Sequence, residues 1–166
     1  MINNQHILLV EDDESLQELI EKLLKNNNYI VSKAKNIAES ENLIKLFVFD
    51  LIILDVMLPD STGLDFYQNH IKDRINTPVI FLSALSDVDD RVLGLELGAD
   101  DYIGKPFDSR ELLLKIKKNI LKKQSSDLVK LGKDTEFDLK MEQLLFQGNK
   151  ISLSSNEVKI LKLLIN

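Results

Sequence analysis

Short unbroken apolar runs alternate along this chain with stretches in which apolar residues recur every three or four positions. His6–Val10 (HILLV), 51–54 (LIIL) and 79–82 (VIFL) are brief and rich in Ile, Val and Leu, so they read as strands. Tyr29, Ile30 and Val31 form a shorter run of the same kind, and Tyr102 with Ile103 another. Between these runs, Leu16, Leu19, Ile20, Leu23 and Leu24 have helical spacing, as do Leu43, Ile44 and Phe47 within 37–47. A weaker helical stretch covers 63–71. A further helix is predicted over 87–97 and stops at Gly98, which suits the residue just past a helix end. The helix predicted over 108–123 opens with Asp108 and, three residues on, Glu111, the spacing of a capping box.

Strand and helix therefore alternate five times. Strands that are apolar at every position, rather than at alternate ones, are buried on both faces. The expected fold class is α/β, a (βα)5 doubly wound parallel sheet. Right-handed crossovers then place a functional site at the carboxyl ends of the strands, near the point where the strand order reverses.

After Lys123 the pattern changes. Residues 123–127 read as a polar linker between a domain over 1–122 and a segment over 128–166. In that segment short apolar pieces are broken by Gly132, Lys133-Asp134 and Gly148-Asn149, which predicts small antiparallel strands with tight turns. Ser154 or Ser155 can cap a last helix over 156–165, with Leu161, Leu164 and Ile165 on its apolar side.

Composition narrows the function classes. With 166 residues, 44% hydrophobic and 29% charged, the chain can bury a core without staples. It has no cysteine, which excludes disulfides, thiolate metal sites and Cys nucleophiles. Only His6 and His70 could supply imidazole, and neither sits in a carboxylate–histidine motif, so zinc is not expected. No signal peptide is visible and no apolar stretch approaches the ~20 residues of a membrane helix. A cytoplasmic protein without membrane partners is expected. The net charge of −6 lacks the basic footprint of a nucleic-acid binder, so this chain as it stands is not expected to bind DNA specifically.

The candidate chemistry lies in acids that follow the strands. Glu11, Asp12 and Asp13 come directly after HILLV, and Asp55 after LIIL. In a parallel sheet such ends are neighbours. Two carboxylates about 4 Å apart repel by about 1 kcal/mol in water and about 4 kcal/mol at an effective dielectric near 20. A compensating cation is needed, and oxygen-only donors point to Mg²⁺ or a similar hard ion. Taken singly, Asp12 or Asp13 could simply cap the first helix, Asp55 could be a loop acid and Lys105 a solvated loop lysine. Together with Ser83 after VIFL and Lys105 beyond Tyr102, they supply a metal site, a hydroxyl donor and a point charge, which is what a phosphoryl group needs. Pro106 after Lys105 can fix the direction of that lysine.

The segments ILLVEDD, LIILDVMLPDSTGLDF, TPVIFLSA and GADDYIGKPFDSREL resemble, in order and spacing, those of response-regulator receiver domains, from residue 5 to about 122. The resemblance implies a flavodoxin-like receiver phosphorylated on Asp55 by a sensor histidine kinase. It implies that Glu11, Asp12, Asp55 and the backbone carbonyl of Met57 hold Mg²⁺. Lys105 would pair with the phosphoryl group, Ser83 would be the hydroxyl switch, and Pro106 the cis proline. Tyr102 would be the aromatic that turns inward on activation. Such a receiver catalyses only its own phosphorylation and dephosphorylation. Residues 128–166 resemble the start of the winged-helix output domain of OmpR-type regulators, which implies transcriptional control through a DNA-binding domain that is incomplete here. OmpR-type receivers also imply a homodimer when phosphorylated, with Arg91 facing Glu111, Asp101 facing Lys115 and Glu96 facing Lys117, and with Asp100 and Lys118 nearby.

Other readings fit less well. A haloacid-dehalogenase-type phosphatase needs a second Asp two residues after the nucleophile, where this chain has Met57. A magnesium nuclease has no use for Lys105 with its proline. A flavodoxin needs a phosphate loop after the first strand, and Glu11-Asp12-Asp13 would repel phosphate. The remaining rival is a free-standing receiver acting as an interaction module or phosphate sink.

Overall fold

The computed structural model describes residues 5–72, 74–83, 98–126, 128–139 and 141–165. Contacts divide the chain into two compact units, Met1–Ile120 and Leu121–Asn166. In the first, β1 (His6–Val10), β2 (Ile30–Ala34), β3 (Leu51–Asp55), β4 (Val79–Ser83) and β5 (Asp101–Gly104) form one parallel sheet in the order β2-β1-β3-β4-β5. The order reverses between β1 and β3, the switch point of a doubly wound sheet.

Side chains alternate across the pleat, and both faces are covered. Ile7, Leu9, Ile53, Leu82 and Ile103 pack against Ile20 and Leu24 of α1 (Glu14–Asn26) and Leu112 and Ile116 of α4 (Ser109–Ser126). Leu8, Val10, Leu54, Phe81 and Tyr102 pack against Ile37 and Leu43 of α2 (Ile37–Leu46) and Phe66 of α3 (Gly63–Phe66). Each fully buried side chain of this size contributes about 1.5–3 kcal/mol. The expected α/β class and strand positions are thus met. The helix expected over 63–71 is instead one α turn followed by a π turn, Tyr67–Ile71. The helix expected over 87–97 lies outside the described residues.

Helix starts follow local chemistry. Asp13 caps α1 by accepting the Leu16 N–H at 3.0 Å. Asn36 accepts the Glu39 N–H at 2.8 Å, and Glu39 returns a bond from the Lys35 N–H. Asp108 caps α4 by accepting the Arg110 N–H at 2.8 Å, two residues on, and among the described contacts neither bond of the expected box with Glu111 is made. The expected linker over 123–127 is corrected at its start: α4 runs on through Ser126 because nothing before that residue breaks the helical backbone.

In the second unit, β6 (Leu128–Lys130), β7 (Thr135–Asp138), β8 (Gln143–Phe146) and β9 (Asn149–Ile151) form an antiparallel sheet in sequence order. Positive φ at Gln147 and Gly148 makes the tight turn between β8 and β9. Ser154 and Glu157 form a reciprocal capping box at the start of α5 (Ser155–Ile165). The apolar side of α5 needs correction: Val158 is buried and Leu161 and Ile165 are half-buried, whereas Leu164 is exposed. Positions 158, 161 and 165 share a helical face that 164 misses.

Candidate functional site

Parallel register gathers the predicted residues on one edge. Val10 pairs with Leu54, so Glu11 and Asp55 are neighbours across the switch point. Asp55 pairs with Leu82, and Ser83 with Gly104, which brings Ser83 and Lys105 to the same edge. Glu11, Asp12 and Asp55 each present a carboxylate oxygen, and these atoms lie within 4.8 Å of one another. Glu11 and Asp55 are buried and Asp12 is exposed. Because Asp13 serves as the α1 cap, Asp12 is left for the cluster.

Lys105 Nζ donates to Asp55 Oδ2 at 2.6 Å and to Glu11 Oε2 at 2.7 Å. Its N–H donates to the Ser83 carbonyl at 2.6 Å, and its bond to Pro106 is cis. Ser83 is buried. The Met57 N–H donates to Asp55 Oδ1 at 3.0 Å, while the Met57 side chain is exposed.

Burial is the largest influence on Glu11. Lys105 opposes it and the Asp55 charge adds to it, and the carboxyl is pushed up to about 7. Burial alone would lower Lys105, but Asp55 and Glu11 outweigh it and hold the ammonium above its ordinary value. Three converging carboxylates meet one ammonium, so the cluster retains negative charge. The donors are all oxygen, and one of them is a desolvated acid short of positive charge. This set fits a hard divalent ion such as Mg²⁺.

The response regulator receiver domain family matches residues 7–117. The chain belongs to the two-component response regulators of the OmpR/PhoB type. It is 37% identical over 160 residues to the transcriptional regulatory protein PmrA of Pectobacterium parmentieri, covering 96% of this chain and 72% of the relative. It is 36% identical over 158 residues to the response regulator ArlR of Staphylococcus aureus, covering 95% and 71%. Among solved structures it resembles DrrB, an OmpR/PhoB homologue from Thermotoga maritima, with 30% identity and a TM-score of 0.64 over 97% of this chain and 72% of that one.

Tyr102 of this receiver already lies inward, 5% exposed and clustered with Phe81 and Ala99.

The charge pairs expected across a dimer axis are redistributed. Arg91 and Glu96 lie outside the described residues. Lys115 Nζ reaches Asp101 Oδ1 at 2.5 Å and the Tyr102 carbonyl at 2.8 Å within the same chain. Lys118 stands 3.5 Å from the same Asp101 carboxylate. Within one chain, Asp101 therefore already has Lys115 as a partner, because α4 packs beside the start of β5. Burial alone would raise Asp101, but Lys115, the Tyr102 N–H and Lys118 outweigh it and hold the acid below its usual range. Asp100 accepts the Val79 N–H at 3.2 Å and so serves the sheet. Glu111 is exposed, 3.8 Å from Lys115, and Lys117 is exposed as well.

Two supporting residues were missed in the sequence. Gln17 is buried and donates to the carbonyls of Glu11 at 2.9 Å and Ala34 at 3.1 Å, locking the end of β1. Its spacing with Ile20 and Leu24 was the available signal. Gly63 is the other: a Cβ there would stand 2.0 Å from the Asp55 carbonyl oxygen, so no other residue fits.

Proposed function

We propose that this receiver accepts a phosphoryl group on Asp55 from a histidine kinase and so controls transcription through a C-terminal DNA-binding domain. The observation that carries it is the buried Asp55 carboxylate held 2.6 Å from the Lys105 ammonium beside two further acids. Glu11, Asp12, Asp55 and the Met57 carbonyl would hold Mg²⁺. When bound, the ion supplies charge neutralisation for the carboxylates and the incoming phosphoryl oxygens.

An Asp55 carboxylate oxygen forms the new bond to phosphorus while the bond from phosphorus to the donor's leaving atom breaks, the electron pair departing with that atom. Lys105 exchanges its pairing with Asp55 for the transferred oxygens, and the Ser83 hydroxyl donates to one of them. Hydrolysis of the acyl phosphate reverses the state. The chain turns over no outside substrate, since Met57 stands where a phosphatase would need its acid. Phosphorylation would promote a symmetric homodimer in which exposed Glu111 and Lys117 take part. The match to PmrA and ArlR across both units supports a transcriptional output over a free-standing receiver.

Intact mass after incubation with acetyl phosphate and Mg²⁺ tests the central step. One base-labile phosphate is expected on this chain and none on Asp55→Asn. Phosphate still added to the variant would overturn the assignment.

A further inference from the structure

The loop over 56–62 carries Met57 and is closed at its base. The Gly63 N–H donates to the Val56 carbonyl at 2.8 Å, and Met57 pairs antiparallel with Thr62. Asp60 lies beyond that closure. Its Oδ2 accepts the Ile37 N–H at 2.9 Å and the Ala38 N–H at 3.3 Å, and its Oδ1 stands 3.2 Å from the same Ile37 nitrogen.

These are the first two N–H groups of α2. The third belongs to Glu39 and is already taken by Asn36. The helix thus has its own cap, and Asp60 takes the donors the cap leaves free. A carboxylate at this position gains charge-assisted hydrogen bonds and the favourable end of the helix dipole. Asp65 cannot replace it, because that carboxylate accepts the Thr62 hydroxyl at 2.6 Å.

We propose that Asp60 is a positioning residue that staples the loop after Asp55 to the start of α2, and so sets the aim of the Met57 carbonyl and the Asp55 carboxylate for cation binding. The proposal rests on reading the acidic cluster as a Mg²⁺ site. The mechanical link is short. Met57 both offers the carbonyl and donates its N–H to Asp55 Oδ1, so a pivot of the loop disturbs two ligands together. Asp60 is exposed and touches neither Glu11 nor Asp12 among the described contacts, which leaves the cluster intact when it is replaced.

Mg²⁺ titration followed by the amide signals of residues 11–13 and 55–57 tests this, comparing the unaltered chain with Asp60→Ala, Asp60→Asn and Asp55→Asn. Asp60→Ala is expected to bind Mg²⁺ roughly tenfold more weakly, the effect typical of losing a residue that orients metal ligands. Amide exchange at Ile37 and Ala38 should quicken in the same variant. Asp60→Asn keeps an acceptor oxygen and should fall between, and the ranking should persist at high salt. Mg²⁺ affinity of Asp60→Ala within about twofold of the unaltered chain would overturn the staple. So would an Asp60→Asn as weak as Asp60→Ala whose deficit vanishes at high salt, since that pattern means long-range charge alone. If the unaltered chain binds no better than Asp55→Asn, the metal reading itself fails and the staple with it.

Discussion

The two units use their apolar residues in opposite ways. In Met1–Ile120, strands β1, β3 and β4 are buried along almost their whole length, with helices on both faces. In Leu121–Asn166, the buried apolar residues among those described are Phe137 and Val158, while Ile160, Leu163 and Leu164 of α5 are 56%, 80% and 76% exposed. Both units nevertheless form regular strands and well-capped helices. Hydrogen bonding and capping are local and need only a few neighbouring residues. A core needs apolar faces brought together from distant segments, and the first unit has them in the described structure while the second shows an apolar helix face to solvent.

The proposed phosphoacceptor Asp55 lies in the first unit, so the largest expected effect is all-or-none. After acetyl phosphate and Mg²⁺, peptide mapping should place the modification on the segment containing Asp55 alone. Phosphate recovered from any peptide of the second unit would break the division.

Next in size is the core. Ile53 is fully buried, so Ile53→Ala should cost the receiver about 3 kcal/mol in urea unfolding, from lost burial and the cavity left behind. A cost under about 1 kcal/mol would mean that the first unit does not depend on a tightly packed core.

A smaller effect comes from the acidic edge. Glu11 is pushed up to about 7 by burial, from an ordinary 4.5. An acid raised in the fold favours its protonated form, so the metal-free receiver loses stability as pH rises from the unfolded value through the folded one. Mg²⁺ held by the deprotonated acids would offset that loss, so the metal-induced rise in melting temperature should be greater at pH 8 than at pH 6. An equal rise at both would show that Glu11 does not titrate in this window.

The smallest expected change is Leu164→Ser, within about 0.5 kcal/mol of the unaltered stability because the residue is exposed. Urea unfolding should therefore give the variant nearly the same midpoint as the unaltered chain. A marked drop in stability would instead show Leu164 packed in solution.

Much of this receiver is written locally. The runs HILLV, LIIL and VIFL form strands because each is apolar at consecutive positions, and a buried parallel strand permits nothing else. The acids that follow two of those runs had to reach the carboxyl edge once the strands were parallel. Of the two serines that could cap the last helix, Ser154 does so, and only the structure adds its reciprocal partner Glu157.

What only the tertiary structure decided involves residues far apart in the chain. Lys105 meets Glu11 and Asp55 from 94 and 50 residues away, because the registers of four strands bring them to one edge. The choice of Asp13 over Asp12 as helix cap, and hence of Asp12 for the acidic cluster, depended on where α1 begins relative to β1. Asp101 and Lys115 carry charges that suit either a partner chain or each other, and the packing of α4 beside β5 joins them within one chain. Gln17 and Asp60 look like surface residues in one dimension, yet each bonds backbone groups that only the fold delivers. Periodicity and capping depend on neighbours along the chain, whereas the site and its charge pairing depend on register and helix placement, which no short stretch encodes.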